Sequence, residues 1–149
     1  MKRKRILVVD DEVSFTRLLK LNLEQTNEFE VRVENRAEDA LAAARRFLPD
    51  LILLDIMMPR MVGSDVAARL RADSHLNTVP IVFLSAAGGK WVAEHQAAAG
   101  DLPLIAKPAS VDEVLEGIEK ELSKRRPIFA PLVQHGAAGP YCAATTATQ

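Results

Sequence analysis

The chain has 149 residues, 48% hydrophobic and 26% charged, and a net charge of −1. That is the make-up of one ordinary globular domain with room for a core, and it gives no electrostatic case for nucleic acid or an anionic membrane as the main partner. A single cysteine, Cys142, excludes an intramolecular disulfide framework and a multi-cysteine zinc site.

The first element is Ile6-Leu7-Val8-Val9, ended by Asp10 and Asp11. Lys2–Arg5 ahead of it could open an export signal, but four apolar residues before two aspartates are too few. No run is long enough to span a bilayer, so a cytoplasmic location is expected. Four apolar residues without polar alternation predict a strand buried on both faces. Phe15, Leu18, Leu19 and Leu23 then recur at helical spacing. Phe29, Val31 and Val33 alternate with Glu30, Arg32 and Glu34, the pattern of a half-exposed edge strand. Asn35 with Glu38 reads as a capping box, opening a helix with the stripe Ala37, Leu41, Ala44 and Leu48 that Pro49 closes.

Leu51–Leu54 is a second continuous run and ends in Asp55. After the loop from Pro59 to Gly63, Val66, Ala67 and Leu70 mark a short helix. Pro80–Leu84 is a third buried strand, followed by Ser85, and an alanine-rich helix runs on to about Gly100. A short strand at Pro103–Ala106 precedes Lys107. Ser110 with Glu113 caps the last helix, whose face is Val111, Val114, Leu115, Ile118 and Leu122. Five strands alternating with five helices predict an α/β fold, a three-layer sandwich around a five-stranded parallel sheet. With the alternating run at an edge and the continuous runs inside, the strand order is 2-1-3-4-5. Residues 127–149 contain no Lys, Arg, Asp or Glu and are rich in Ala, Thr, Gly and Pro. The expected division is a folded domain over 1–126 and an uncharged C-terminal tail over 127–149, with no second folded domain.

Ligands of such sheets bind outside the carboxyl ends of the strands. Asp10, Asp11 and Asp55 converge there, and three crowded carboxylates call for a divalent cation. Mg²⁺ prefers carboxylate and other oxygen donors, to which the backbone carbonyl of Met57 could add one. Asp55, on the central strand, is the candidate nucleophile for a phosphoryl group. Phosphoryl transfer is catalysed mainly by positioning and charge neutralisation, and Ser85 and Lys107 stand at the ends of the remaining strands as donors to the phosphoryl oxygens. Singly, each residue has a duller role: the aspartates as helix caps, Ser85 as a turn residue, Lys107 as a solvated cation. Their convergence on one rim decides for a site.

These motifs resemble the response-regulator receiver domain of two-component signalling. They are Val8-Val9-Asp10-Asp11-Glu12, Asp55-Ile56-Met57-Met58-Pro59-Arg60-Met61-Val62-Gly63, Pro80–Ala86 and Lys107-Pro108, in order over about residues 4 to 125. The resemblance implies the flavodoxin-like receiver fold, with Asp55 as phosphoacceptor. It implies Mg²⁺ among Asp10, Asp11, Asp55 and the Met57 carbonyl, Ser85 as the switch hydroxyl and Lys107 as the phosphate-contacting ammonium. The donor would be a phosphohistidine on a sensor histidine kinase or histidine phosphotransfer protein. Catalysis would be limited to the chain's own phosphorylation and the slow loss of that group to water. A downstream protein would dock on the face of the fourth helix, fifth strand and fifth helix, with no direct nucleic-acid or membrane partner, and the family allows a homodimer.

The chain departs from the family where aromatic bulk is usual. Leu104 stands where many receivers carry Tyr or Phe, and Ala109 where Phe is common. Trp91 and His95 share a helical face, which either covers apolar surface or anchors a partner through Trp91. Met57 and Ala87 lie two residues past Asp55 and Ser85, where neither can hold a water strongly, so slow loss of the phosphoryl is expected. Three functions compete: a stand-alone phosphoacceptor signalling by protein contact, a phosphorylation-independent scaffold, and an aspartyl phosphatase. The last fits poorly, because Asp10 is followed by Glu12 where such enzymes carry a second aspartate, with Ser14 at the place of their small hydroxyl residue.

Overall fold

The computed structural model describes residues 2–86, 102–107 and 109–125. The apolar runs form β1 (Lys4–Val9), β3 (Leu51–Asp55) and β4 (Ile81–Ser85), and the alternating run forms β2 (Phe29–Glu34). A three-residue β5 (Leu104–Ala106) completes a sheet of order β2-β1-β3-β4-β5, every pair parallel. The described helices are α1 (Val13–Gln25), α2 (Ala40–Phe47), α3 (Gly63–Ala72) and α4 (Val111–Ser123). This is the flavodoxin-like three-layer fold expected from the sequence.

Period-two alternation within the apolar runs explains the two-sided core. Leu7, Val9, Ile52, Leu54, Ile81 and Phe83 face α2 and α3. Ile6, Val8, Leu51, Leu53, Val82 and Leu84 face α1 and α4. β2 buries Phe29 and Val31 and exposes Glu30 and Arg32, as an edge strand should. In register, Val9 lies opposite Leu54, Asp55 opposite Leu84, and Ser85 opposite Ala106, so the strands end along one rim.

The helices correct the sequence reading in three places. Leu18 is 61% exposed on α1, where Thr16, Leu19 and Leu23 carry the buried face. Leu48 does not continue the α2 stripe: it caps the helix in the left-handed region (φ 51°) and is exposed. The capping box expected at Asn35 and Glu38 does not form. Instead α2 is entered through a 3₁₀ turn at Ala37–Asp39, and the Asn35 amide is used elsewhere. The box at Ser110 and Glu113 does form, with Ser110 Oγ accepting from the Glu113 N–H and the Glu113 carboxylate from the Ser110 N–H.

Gly63 opens α3 against the end of β3. A Cβ there would lie 2.4 Å from the Asp55 carbonyl oxygen and 2.7 Å from Ile56 Cα. Among the described residues no helix is long and apolar enough to cross a membrane. The expected alanine-rich helix with Trp91 and His95, Ala87, Pro108, Cys142 and the segment 127–149 lie outside the described residues.

Candidate functional site

The rim where the strands end holds every side chain expected there. Asp10 directly follows β1 and is fully buried. Its carboxylate receives the Lys107 ammonium and, at 2.9 Å, the backbone N–H of Glu12. Asp55 ends β3, nearly buried, with Oδ1 accepting the Met57 N–H at 3.3 Å and Oδ2 3.8 Å from Lys107 Nζ. Asp11 is exposed, and it, Asp10 and Asp55 each place a carboxylate oxygen within 4.8 Å of the others. Met57 puts its backbone beside Asp55 and its side chain in solvent. Ser85 is buried as the last residue of β4, and its carbonyl accepts the Lys107 N–H at 2.7 Å.

The duller roles do not describe these residues. Glu12, not either aspartate, is the N-cap residue of α1, and the Asp10 carboxylate is shared between the Glu12 N–H and Lys107. Ser85 lies in a strand, and the Lys107 side chain is only 11% exposed.

Asp55 is pushed up to about 7, first by burial and then by the Asp10 carboxylate, against the opposing pull of Lys107 and the Met57 N–H. A single buried lysine does not compensate the negative charge gathered at this point. A set of close carboxylate oxygens with uncompensated charge fits a hard divalent cation such as Mg²⁺.

Sequence reasoning missed the supports of these groups. The Asn35 amide donates to the Asp10 carbonyl at 2.7 Å and to Thr16 Oγ1 at 3.0 Å, tying the end of β2 to the turn that carries Asp10. Its pairing with Glu38 in sequence pointed to a cap and hid this role. Glu38 accepts from both Arg36 and Arg60, joining the loops after β2 and β3 beside a cleft of about 400 Å³ that reaches Asp11.

The family model of the response regulator receiver domain matches residues 6–119. The chain belongs to this family. It is 48% identical over 84 residues to the DNA-binding response regulator MtrA of Mycolicibacterium paratuberculosis, a match covering 56% of this chain and 36% of that protein. The chain thus spans about a third of the length of that curated relative. Among solved structures it resembles the chemotaxis receiver CheY4 of Vibrio cholerae, at 25% identity and TM-score 0.72 over 80% of this chain and 98% of that one. The receiver domain of sensor histidine kinase PA1611 from Pseudomonas aeruginosa shares the fold at 24% identity and TM-score 0.74, covering 82% of this chain and 99% of that one. That structure is described with a magnesium ion coordinated in its active-site cleft. Receiver domains are signalling modules of two-component systems; they bind Mg²⁺ at their acidic site and take phosphoryl groups from histidine kinases.

Proposed function

We propose that this receiver accepts a phosphoryl group on Asp55 from a phosphohistidine of a sensor kinase or phosphotransfer protein, and signals through protein contact. The observation that carries the reading is the placement of Asp55. Its carboxylate ends the central strand within 4.8 Å of the Asp10 and Asp11 carboxylates, with the Lys107 ammonium 3.8 Å away.

Asp10, Asp11, Asp55 and the Met57 carbonyl would hold Mg²⁺, in keeping with the close approach of the three carboxylates; the PA1611 receiver has a magnesium ion in its active-site cleft. The bound ion would supply positive charge opposite the phosphoryl oxygens. An Asp55 oxygen forms the new P–O bond as the donor's N–P bond breaks, and the leaving imidazole nitrogen takes up a proton. Lys107 neutralises charge on the equatorial oxygens, and the Ser85 hydroxyl donates to one of them. The backbone hydrogen bond between Lys107 and Ser85 links the two responding groups, so a phosphoryl at Asp55 biases both strand ends together. Hydrolysis returns the Asp55 carboxylate and inorganic phosphate.

The proposed unit is the receiver over residues 1–126, with its partner on the β5–α4 face. Output through DNA is the competing version, since the printed name of MtrA describes that protein as DNA-binding. A gel shift by the phosphorylated chain would support that version. The scaffold reading draws on Leu104, which is half-buried without the hydroxyl of a tyrosine. The phosphatase reading needs Asp10 as nucleophile, a role disfavoured by its burial and ion pair.

Intact mass after incubation with acetyl phosphate and Mg²⁺ tests the proposal. A gain of one phosphoryl, about 80 Da, that Asp55→Asn and a chelator both abolish is the expected result. A folded wild type that gains nothing while a competent receiver is labelled would favour the scaffold.

A further inference from the structure

We propose that Phe15 is a positioning residue for Lys107, fixing the ammonium over its ring so that it points at the phosphoacceptor. The inference rests on the roles of Asp55 and Lys107 given above. Lys107 Nζ lies 4.4 Å from the centroid of the Phe15 ring, inside the distance of about 6 Å at which an aromatic face attracts a cation. The same nitrogen contacts Asp10 and lies 3.8 Å from Asp55 and 4.0 Å from Glu12. Those carboxylates draw the ammonium toward several positions, one of them on an exposed side chain. The ring bounds it on another side with a surface that favours positive charge while excluding water.

Phe15 stands in the first turn of α1, half-buried and packed on the core between the sheet and α4. An aliphatic side chain would serve that core as well. Only an aromatic one also offers a lysine a negative face. With its stem and head held, Lys107 needs little reorganisation as charge moves onto the transferring phosphoryl.

Phe15→Leu and Phe15→Met keep apolar bulk and remove the ring, whereas Phe15→Tyr keeps the face. For each, phosphorylation by acetyl phosphate would be timed at saturating Mg²⁺, alongside Mg²⁺ affinity by calorimetry and unfolding in urea. The aliphatic variants are expected to slow phosphorylation about tenfold, with Mg²⁺ affinity near that of the wild type and the rate restored in Phe15→Tyr. Aliphatic variants that lose stability yet react at the wild-type rate would overturn the proposal and leave Phe15 a core residue. Equal slowing in Phe15→Tyr would overturn it too, since the ring face would not be the cause. A wild type that takes up no phosphoryl would overturn the underlying reading with it, an outcome distinct from wild-type reaction unmatched by any effect of Phe15.

Discussion

Lys107 and Asp10 form an ion pair out of solvent across the end of the sheet, with Asp10 fully buried and the lysine side chain 11% exposed. The pair joins the first strand end to the last and leaves the same ammonium 3.8 Å from Asp55. A buried pair of this kind adds little net stability compared with apolar packing, but removing one partner strands the other.

Lys107→Ala is therefore expected to lower stability by about 3 kcal/mol near neutral pH and to slow phosphorylation by about a hundredfold. Urea unfolding and timed mass spectrometry measure the two effects.

Asp55 gives the site a pH dependence with a defined sign. Its folded value of about 7 lies above the ordinary value of 3.8, so between those values the folded chain holds a proton that the unfolded chain has released. Folding is favoured by that proton at low pH, and the contribution fades as pH rises toward and through 7. Wild type should lose stability against Asp55→Asn across that window in metal-free buffer. Mg²⁺ affinity should move the other way, rising with pH as the proton leaves. Urea unfolding and calorimetric titration from pH 5 to pH 8 read both trends, and a flat difference between wild type and Asp55→Asn would contradict the assignment.

Gly63 packs closely beneath the site, because a Cβ there would meet the Asp55 carbonyl oxygen at 2.4 Å. Backbone cannot yield as a side-chain tip can, so Gly63→Ala should destabilise the fold by about 2 kcal/mol. It should also disturb the proposed phosphoacceptor, since the obstructing carbonyl belongs to Asp55. Ser64→Ala, one residue on and half-buried, is the control.

Met57 exposes an apolar side chain (53%) beside the proposed phosphoacceptor and cannot hold a water strongly there. Slow loss of the phosphoryl is the expected outcome, and Met57→Asn should shorten its lifetime several-fold by supplying a hydrogen-bonding group. The decay of the mass-shifted species after removal of the donor measures this.

The parts of the fold legible in the sequence were those under a single dominant constraint. Continuous runs such as Leu51–Leu54 admitted only a doubly buried strand, and their flanking aspartates followed onto the rim. Where two local signals competed, the sequence misled. Asn35 can cap a helix or brace a neighbouring turn, and only the approach of Asp10 and Thr16 in space decides between them. Leu18 matched a helical stripe, yet α1 buries Thr16 instead, whose hydroxyl bonds the Val13 carbonyl and receives Asn35. Phe15 looked like core alone because Lys107, far along the chain, supplies the other half of its contact.

The most direct test of the account is to locate the phosphoryl group itself. After reaction with acetyl phosphate and Mg²⁺, borohydride reduction converts an aspartyl phosphate to homoserine, and peptide mass mapping finds the altered residue. Homoserine at position 55 alone, absent when Mg²⁺ is chelated, is the predicted result. Conversion at Asp10 or Asp11, or none in a folded and metal-loaded chain, would contradict the claim that Asp55 is the phosphoacceptor.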